Sequence, residues 1–428
     1  MADSRLTAAQ ILLDIIENKN FASDAKARFE KQIGADSAFV NMLLQTALRH
    51  MVFIKRILRQ FVKKKLPAQS VLAYYALILG TAEILYMDTP DYATINSYVE
   101  LVKKQLDKYV AGFVNAVLRK VVAGKETFSA SKDEEFFPPE FRKILNAGYG
   151  KKTVRRIEQS FLTEPGLDLS CKSEPQLWAK KLNARLLPTG TLRLPNQGSV
   201  AKLKGYEEGA WWVQDFAASL AAKALGNNLS GQKVLDLCAA PGGKTAQLLA
   251  AGAQVMALDI SETRLARLQE NIKRLDLPTP EIVCADAVAY LQSLAALQFD
   301  AVLLDAPCSA TGTLRRHPEI VHIKNLSDVE KQTAVQKEIL SVVSNALKPG
   351  GTLVYCVCSL AKAEGEEQIA AFLDQHPEFR RQSLKPMIPA EISEIVNSDG
   401  CIRTLPCHLE KFGGVDGFFI ARLQKESN

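Results

Sequence analysis

Apolar and polar positions follow two different rhythms along this chain. Up to about residue 125 the spacing is helical. Leu6, Ile11, Leu12, Ile15 and Ile16 fall on one face, as do Phe39, Leu43, Leu44, Ala47 and Leu48. Residues 71–85 are apolar nearly throughout, broken by Gly80, Thr81 and Glu83, which predicts a central helix buried on all sides. Residues 95–106 and 109–122 complete a bundle of about five helices. The charged stretch that follows ends in Phe-Phe-Pro-Pro and predicts a boundary, with a linker over 126–139. From residue 230 short apolar runs alternate with helical periods, the signature of a Rossmann-like, doubly wound α/β sheet. Strands are predicted over 233–238, 254–259, 281–286, 299–305, 352–357 and 417–423, and helices over 245–251, 262–275 and 326–347. Lys348-Pro349-Gly350-Gly351 is expected to stop the last helix. The pattern between is weaker. It predicts a small mixed α/β unit over 140–215, with strands at 167–171, 191–194 and 211–213 and helices at 141–147, 154–161 and 176–184. The expected organisation is an all-α domain (1–125), the linker, the small unit and an α/β domain (216–428).

Composition narrows the class. With 47% hydrophobic and 23% charged residues, the chain is neither disordered nor a disulfide scaffold. The longest uninterrupted apolar run, 71–79, is well short of the ~20 residues of a membrane span, and Met1-Ala2-Asp3-Ser4-Arg5 does not read as a signal peptide. A cytoplasmic protein with no membrane partner is expected. Charge is uneven: residues 1–160 carry 25 Lys+Arg against 17 Asp+Glu, and the remainder 28 against 30. A basic, helical first third with runs such as Lys63-Lys64-Lys65 implies an electrostatic handle for a polyanion. Eight scattered cysteines fit reduced thiols.

The first predicted strand of the α/β domain runs into Cys238-Ala239-Ala240-Pro241-Gly242-Gly243-Lys244-Thr245. Glycines at a strand-to-helix turn let backbone N–H groups approach a ligand. The loop shares Gly-Gly-Lys-Thr with the end of a P-loop, but position 238 is Cys where that motif needs glycine, so nucleotide hydrolysis is disfavoured. Asp259, Asp286 and Asp305 are predicted at the ends of the second, third and fourth strands, in the crevice where such sheets bind ligands. These carboxylates suit a nucleoside better than a triphosphate, which they would repel. S-adenosylmethionine fits that description.

Two more turns carry thiols: Asp305-Ala-Pro-Cys308-Ser309 and Tyr355-Cys356-Val-Cys358-Ser359. Such a pair beside a methyl donor suits methylation at C5 of cytosine. C5 is a poor nucleophile until a thiolate adds to C6, and the thiol leaves when the C5 proton is lost. Strand cysteines are ordinarily core groups, and the thiols of Cys171, Cys238, Cys284, Cys401 and Cys407 are assigned to packing. Cys356 and Cys358 share a strand face, yet no four-ligand set of metal-site spacing completes around them, so no metal is expected. Trp211 and Trp212 are read as core.

These motifs resemble those of the RNA (cytosine-C5) methyltransferases. Trp212-Val-Gln-Asp215, Asp305-Ala-Pro-Cys308-Ser-Ala-Thr-Gly312 and Asp416-Gly-Phe-Phe419 carry the resemblance together with the two turns above. Arg315-Arg-His-Pro-Glu319 is similar to the Sun or Fmu type that acts on bacterial small-subunit rRNA. Arg5-Leu-Thr-Ala-Ala-Gln-Ile-Leu12, Thr94-Ile-Asn-Ser-Tyr-Val-Glu100 and Phe113-Val-Asn-Ala-Val-Leu-Arg119 resemble the NusB-like domain of that type. The resemblance implies an enzyme using S-adenosylmethionine on 16S rRNA, at the family's site, cytosine 967; a monomer is expected. It implies Cys358 as nucleophile, Cys308 in product release, and cofactor contacts from Cys238, Ala239, Ala240, Pro241, Gly242, Gly243, Lys244, Asp259, Asp286 and Asp305. Two positions depart from the family: Val357 stands where Thr is usual, and Ala310 where Gly is usual. The alternatives are a tRNA or 23S rRNA cytosine methyltransferase, or a non-catalytic RNA-binding, antitermination-like module.

Overall fold

The computed structural model describes residues 4–64, 66–130, 135–195, 198–295 and 298–427; Lys65 of the basic run and part of the expected linker lie outside them. The chain divides into two compact units, residues 1–142 with 317–324, and residues 143–316 with 325–428.

The first unit is the expected bundle. Its long helices are Ser4–Asn18, Ser37–Phe61, Val71–Tyr86, Asp91–Gln105 and Lys108–Ala123. Val71–Tyr86 is the central one, as its unbroken apolar pattern requires. With the turn before it, this helix is long and apolar enough to cross a membrane by length and composition. In the bundle its side chains are core, and its buried acid is neutralised locally. Glu83, fully buried, takes Arg5 at 2.6 Å and also accepts from Tyr98 and Thr94. Gly80 lets the neighbouring helices come close, since a Cβ there would meet Leu118 and Tyr98 at 3.1 Å.

The unit reaches further than the helical pattern predicts. Residues 125–129 form a short helix, and Phe136 and Phe137 are buried, the latter edge-on to Phe141 at 5.2 Å. Burying two aromatic rings fastens this segment, so Phe136 and Phe137 pack into the unit, while Pro139 stays exposed. The unit also takes the short helix Ile320–Ile323 from the middle of the α/β sequence. Ile323 joins the bundle core, buried Glu319 accepts the Ala22 N–H at 3.0 Å, and the His322 ring lies 2.7 Å from the Leu48 carbonyl. Burial lowers the His322 pKa to about 4, so the neutral ring donates that bond.

The second unit holds two sheets. The smaller is antiparallel, built from β1 (Leu167–Cys171), β2 (Arg185–Leu186), β3 (Leu192–Leu194) and β4 (Trp211–Val213) in the order β2-β3-β1-β4. Trp211 is buried in its core and Trp212 in that of the larger sheet. The larger sheet contains β5 (Lys233–Leu237), β6 (Gln254–Asp259), β7 (Glu281–Cys284), β8 (Phe299–Asp305), β9 (Leu347–Val357), β10 (Phe379–Gln382), β11 (Ile402–Thr404) and β12 (Phe418–Lys425). Its order is β10-β12-β9-β8-β5-β6-β7, with β11 on β12. The five strands from β9 to β7 are parallel, whereas β12 runs antiparallel to β9, so the sheet is mixed. Strand order reverses beside β5, which places a ligand crevice at the carboxyl ends of β5 and β8.

Three local expectations need correction. The helix Leu326–Val343 ends before Lys348-Pro-Gly-Gly, because that segment is already part of β9. Asp286 does not end a strand: β7 stops at Cys284, and Asp286 caps the next helix by accepting the Ala289 N–H. Cys284, assigned to packing, is exposed.

Candidate active site

β5 delivers its chain into the crevice through a strained turn. Cys238 adopts φ +61, Ala240 and Pro241 are joined by a cis peptide, and Gly242 adopts φ +99 to cap the helix Gly243–Ala250. Gly242 is required twice over, since a Cβ would also lie 2.7 Å from Leu268 Cγ. At Gly243 the protein leaves space: a Cβ would meet nothing nearer than 3.7 Å. That space belongs to a cavity of about 400 Å³ lined by residues 239–244, Trp212, Gln214, Asp215 and Asp305.

Charge in the crevice is matched in one place and unmatched in another. Lys244 Nζ lies 2.7 Å from Asp305 Oδ2 and 5.3 Å from the Phe418 ring centroid. Burial opposes its charge, but Asp305 and then the nearby Cys356 and Cys358 hold its pKa above the ordinary lysine range. Asp236, fully buried in β5, accepts the Thr245 hydroxyl at 2.6 Å through one oxygen, while the other has no partner. Burial pushes its pKa up to about 7.

Of the residues expected to hold the cofactor, 239–244 and Asp305 line the cavity. Cys238, Asp259 and Asp286 do not. Cys238 forms the turn with its thiol half-buried, pushed up to about 12 by that burial. Asp259, 2% exposed, accepts the N–H groups of Ser261 and Ala240 and pairs with Arg264 at 3.3 Å. It therefore ties the loop over 238–244 to the end of β6. Asp286 is exposed at its helix cap.

The two thiol turns meet. β8 and β9 are adjacent, and Asp305 pairs in register with Cys356. Ala306 donates its N–H to the Cys356 carbonyl and Gly312 to that of Cys358, so the turns follow each other beyond the sheet. Cys308 Sγ then lies 3.4 Å from Cys358 Sγ. The hydrogen bond it shares with the Cys358 thiol, reinforced by burial, raises the Cys308 pKa well above the usual range. Cys356 is fully buried and donates to Asp305 Oδ1 at 3.4 Å, so it supports that carboxylate. Among the described residues no group of three or more His, Cys, Asp or Glu is arranged to hold a metal.

Comparison with known proteins agrees with this geometry. The family model for the 16S rRNA methyltransferase RsmB/F matches residues 224–424, and the NusB family model matches residues 2–123. The ribosomal RNA small subunit methyltransferase B of Vibrio cholerae is 30% identical over 452 aligned residues, covering 99% of this chain and 97% of that protein. The chain belongs to the 16S rRNA methyltransferase RsmB/F family. The protein of the same description from Proteus mirabilis is 31% identical, covering 99% of this chain and 98% of its own. The solved structure of PH0851 shares the fold, with a TM-score of 0.77 at 21% identity over 99% of both chains. A methyltransferase homolog protein from Pyrococcus horikoshii matches at a TM-score of 0.53 and 25% identity, over 67% of this chain and 99% of its own. This member of the RsmB/F family is an rRNA methyltransferase that uses S-adenosylmethionine.

Within this RsmB/F methyltransferase, distant motifs converge. Asp215 and Asp416 both bind the Arg316 guanidinium, at 2.9 and 3.0 Å. Gly312 is fixed by the Gly417 backbone, whose oxygen would lie 1.8 Å from a Cβ at position 312. Ala310 adopts φ +57, which explains why glycine is usual there. Val357, the other departure, is buried in the core. Sequence reasoning missed Glu364. This fully buried acid accepts from Ser309, Ser359 and Gln336. The serine after each cysteine was visible in the sequence, but nothing in the spacing marks the acid that joins them.

Proposed function

We propose that this rRNA methyltransferase modifies C5 of a cytosine in 16S rRNA, with Cys358 as nucleophile and Cys308 assisting product release. The 3.4 Å approach of two thiols beside the cofactor cavity carries this reading. Methylation of nitrogen or oxygen needs no thiol, because those atoms already offer a lone pair. C5 of cytosine acquires one when Cys358 sulfur bonds to C6 and drives the π electrons onto C5. That carbon takes the methyl group, and removal of its proton restores the C5–C6 double bond and breaks the C–S bond. S-adenosylmethionine supplies the electrophilic methyl group on its sulfonium.

The residues present fit that donor. The space left at Gly243 belongs to one cavity that also takes in Asp305 and Asp215, whose carboxylates can accept from the hydroxyl and ammonium groups of such a donor. Lys244 retains its charge among Cys356, Cys358 and Asp305, so a cation stands beside the thiol turns. The basic NusB-like bundle supplies sequence-independent affinity for the RNA backbone. A stacked target must leave its stack to reach the crevice. The target in this reading is cytosine 967. Mapping 5-methylcytosine in rRNA from cells with and without the protein tests it. Loss at that position is expected. Loss from tRNA or 23S rRNA alone would move the substrate, and an unchanged map would favour the RNA-binding alternative.

A further inference from the structure

Glu364 lies in the 3-10 turn Lys362–Glu364, shortly after Cys358, and its side chain is fully buried. Oε1 accepts the Ser309 N–H at 2.8 Å and Gln336 Nε2 at 3.1 Å. Oε2 accepts the Ser309 hydroxyl at 2.5 Å and the Ser359 hydroxyl. Four donors saturate a carboxylate's roughly four acceptor sites. Ser309 follows Cys308 and Ser359 follows Cys358, so one carboxylate grips the residue after each thiol. Its other contacts tighten the same grip. Gln336 also donates to the carbonyl of Pro307, before Cys308, at 2.8 Å, and the Glu364 carbonyl accepts the Tyr355 hydroxyl from β9 at 2.6 Å. Thr311 joins the two turns again, 3.1 Å from the Ser359 hydroxyl and accepting the Leu360 N–H.

We propose that Glu364 is a positioning residue that sets the separation and mutual orientation of the Cys308 and Cys358 sulfurs by clamping the serine after each. The proposal rests on the C5 reading for its catalytic consequence. In that chemistry Cys358 must leave C6 while a neighbouring group serves the C5 proton, so thiols held out of register would slow release more than binding. Glu364 is not among the residues lining the proposed cofactor cavity, so cofactor affinity is expected to be independent of the clamp.

Glu364→Gln keeps the side chain's volume but turns one oxygen into a donor that faces groups themselves able to donate. We expect kcat on transcribed 16S rRNA to fall 10- to 100-fold, with KM for RNA and the Kd for S-adenosylmethionine within twofold of wild type. Disulfide formation between Cys308 and Cys358 under diamide, a mild thiol oxidant, should slow about tenfold, because it requires the two sulfurs to meet. A variant that binds S-adenosylmethionine normally, yet keeps kcat within threefold and oxidises at the wild-type rate, would overturn the proposal. If Glu364→Gln no longer binds the cofactor, the double variant Ser309→Ala/Ser359→Ala decides. A matching fall in kcat and oxidation rate supports the clamp, and unchanged values sink it. Should wild type methylate an atom other than C5, the C5 reading fails alone, while the diamide rate still reports whether Glu364 holds the thiols together.

Discussion

Asp305 and Glu364 are both acids near the carboxyl edge of β8 and β9, and the structure uses them in opposite ways. Asp305 keeps about 30% of its side chain exposed, is held by Lys244 and the Cys356 thiol, and lines the proposed cofactor cavity. Glu364 is sealed from solvent and accepts four hydrogen bonds, three of them from the turns that carry the thiols. The cofactor half keeps open capacity: a cavity of about 400 Å³, an unfilled space at Gly243 and a half-open carboxylate. The thiol half is saturated and fixed. A site that binds a diffusible donor must leave groups for it, whereas a site that makes and breaks a covalent bond needs its nucleophile held in place beforehand.

The sharpest way to break this contrast is to remove one thiol. Cys358→Ala should lower methylation by at least roughly 10³-fold, as expected for loss of a covalent nucleophile. S-adenosylmethionine affinity should stay within twofold by calorimetry. A large loss of affinity would show that the two halves are one site. The converse change is Asp259→Ala, which frees the Ala240 and Ser261 N–H groups that anchor the cofactor loop. It should weaken S-adenosylmethionine binding by about 1.5–3 kcal/mol and leave thiol oxidation by diamide unchanged.

Asp236 sharpens the comparison through pH. Its carboxyl is raised from the ordinary 3.8 to about 7, chiefly by burial, so the folded protein binds this proton more tightly than the unfolded chain. The resulting stability is complete below pH about 4 and is lost as pH rises through about 7. Asp236→Asn, neutral at every pH, should therefore stabilise the protein at pH 8, by on the order of 2 kcal/mol, and change little at pH 4. Thermal melts at the two pH values check this, and equal shifts at both would remove Asp236 as the cause. The smallest expected effect is at Ala310, whose φ of +57 strains a residue with a Cβ. Ala310→Gly should stabilise by about 0.5–1 kcal/mol in denaturant unfolding, and a destabilised variant would show that the turn carries no such strain.

The sequence made most of the scaffold legible because the determinants were local. Helical periodicity marks the bundle, and short apolar runs mark β5, β6 and β8. What stayed hidden depends on contacts distant in sequence. Residues 317–324 leave the α/β sequence to join the bundle because Ile323 and Glu319 find partners there, and no local pattern announces that. β10 and β11 are short and take their place from pairing with β12. At the site, Cys308, Cys358 and the loop from Cys238 to Lys244 were visible as strand-end motifs. Asp259 was visible too, but not its engagement with two backbone N–H groups and Arg264. Glu364 had no signature, because a buried acid among polar neighbours reads as helix surface until its four donors are seen.

The paired thiols are proposed to perform covalent chemistry on cytosine in divided roles. Denaturing gels of wild type, Cys358→Ala and Cys308→Ala, each incubated with 16S rRNA and S-adenosylmethionine, test it most directly. No RNA–protein adduct is expected with Cys358→Ala, and an accumulating, denaturant-stable adduct with Cys308→Ala. An adduct that persists in Cys358→Ala and vanishes in Cys308→Ala would reverse the roles. Methylation retained in both variants with no adduct in any lane would contradict the covalent C5 mechanism outright.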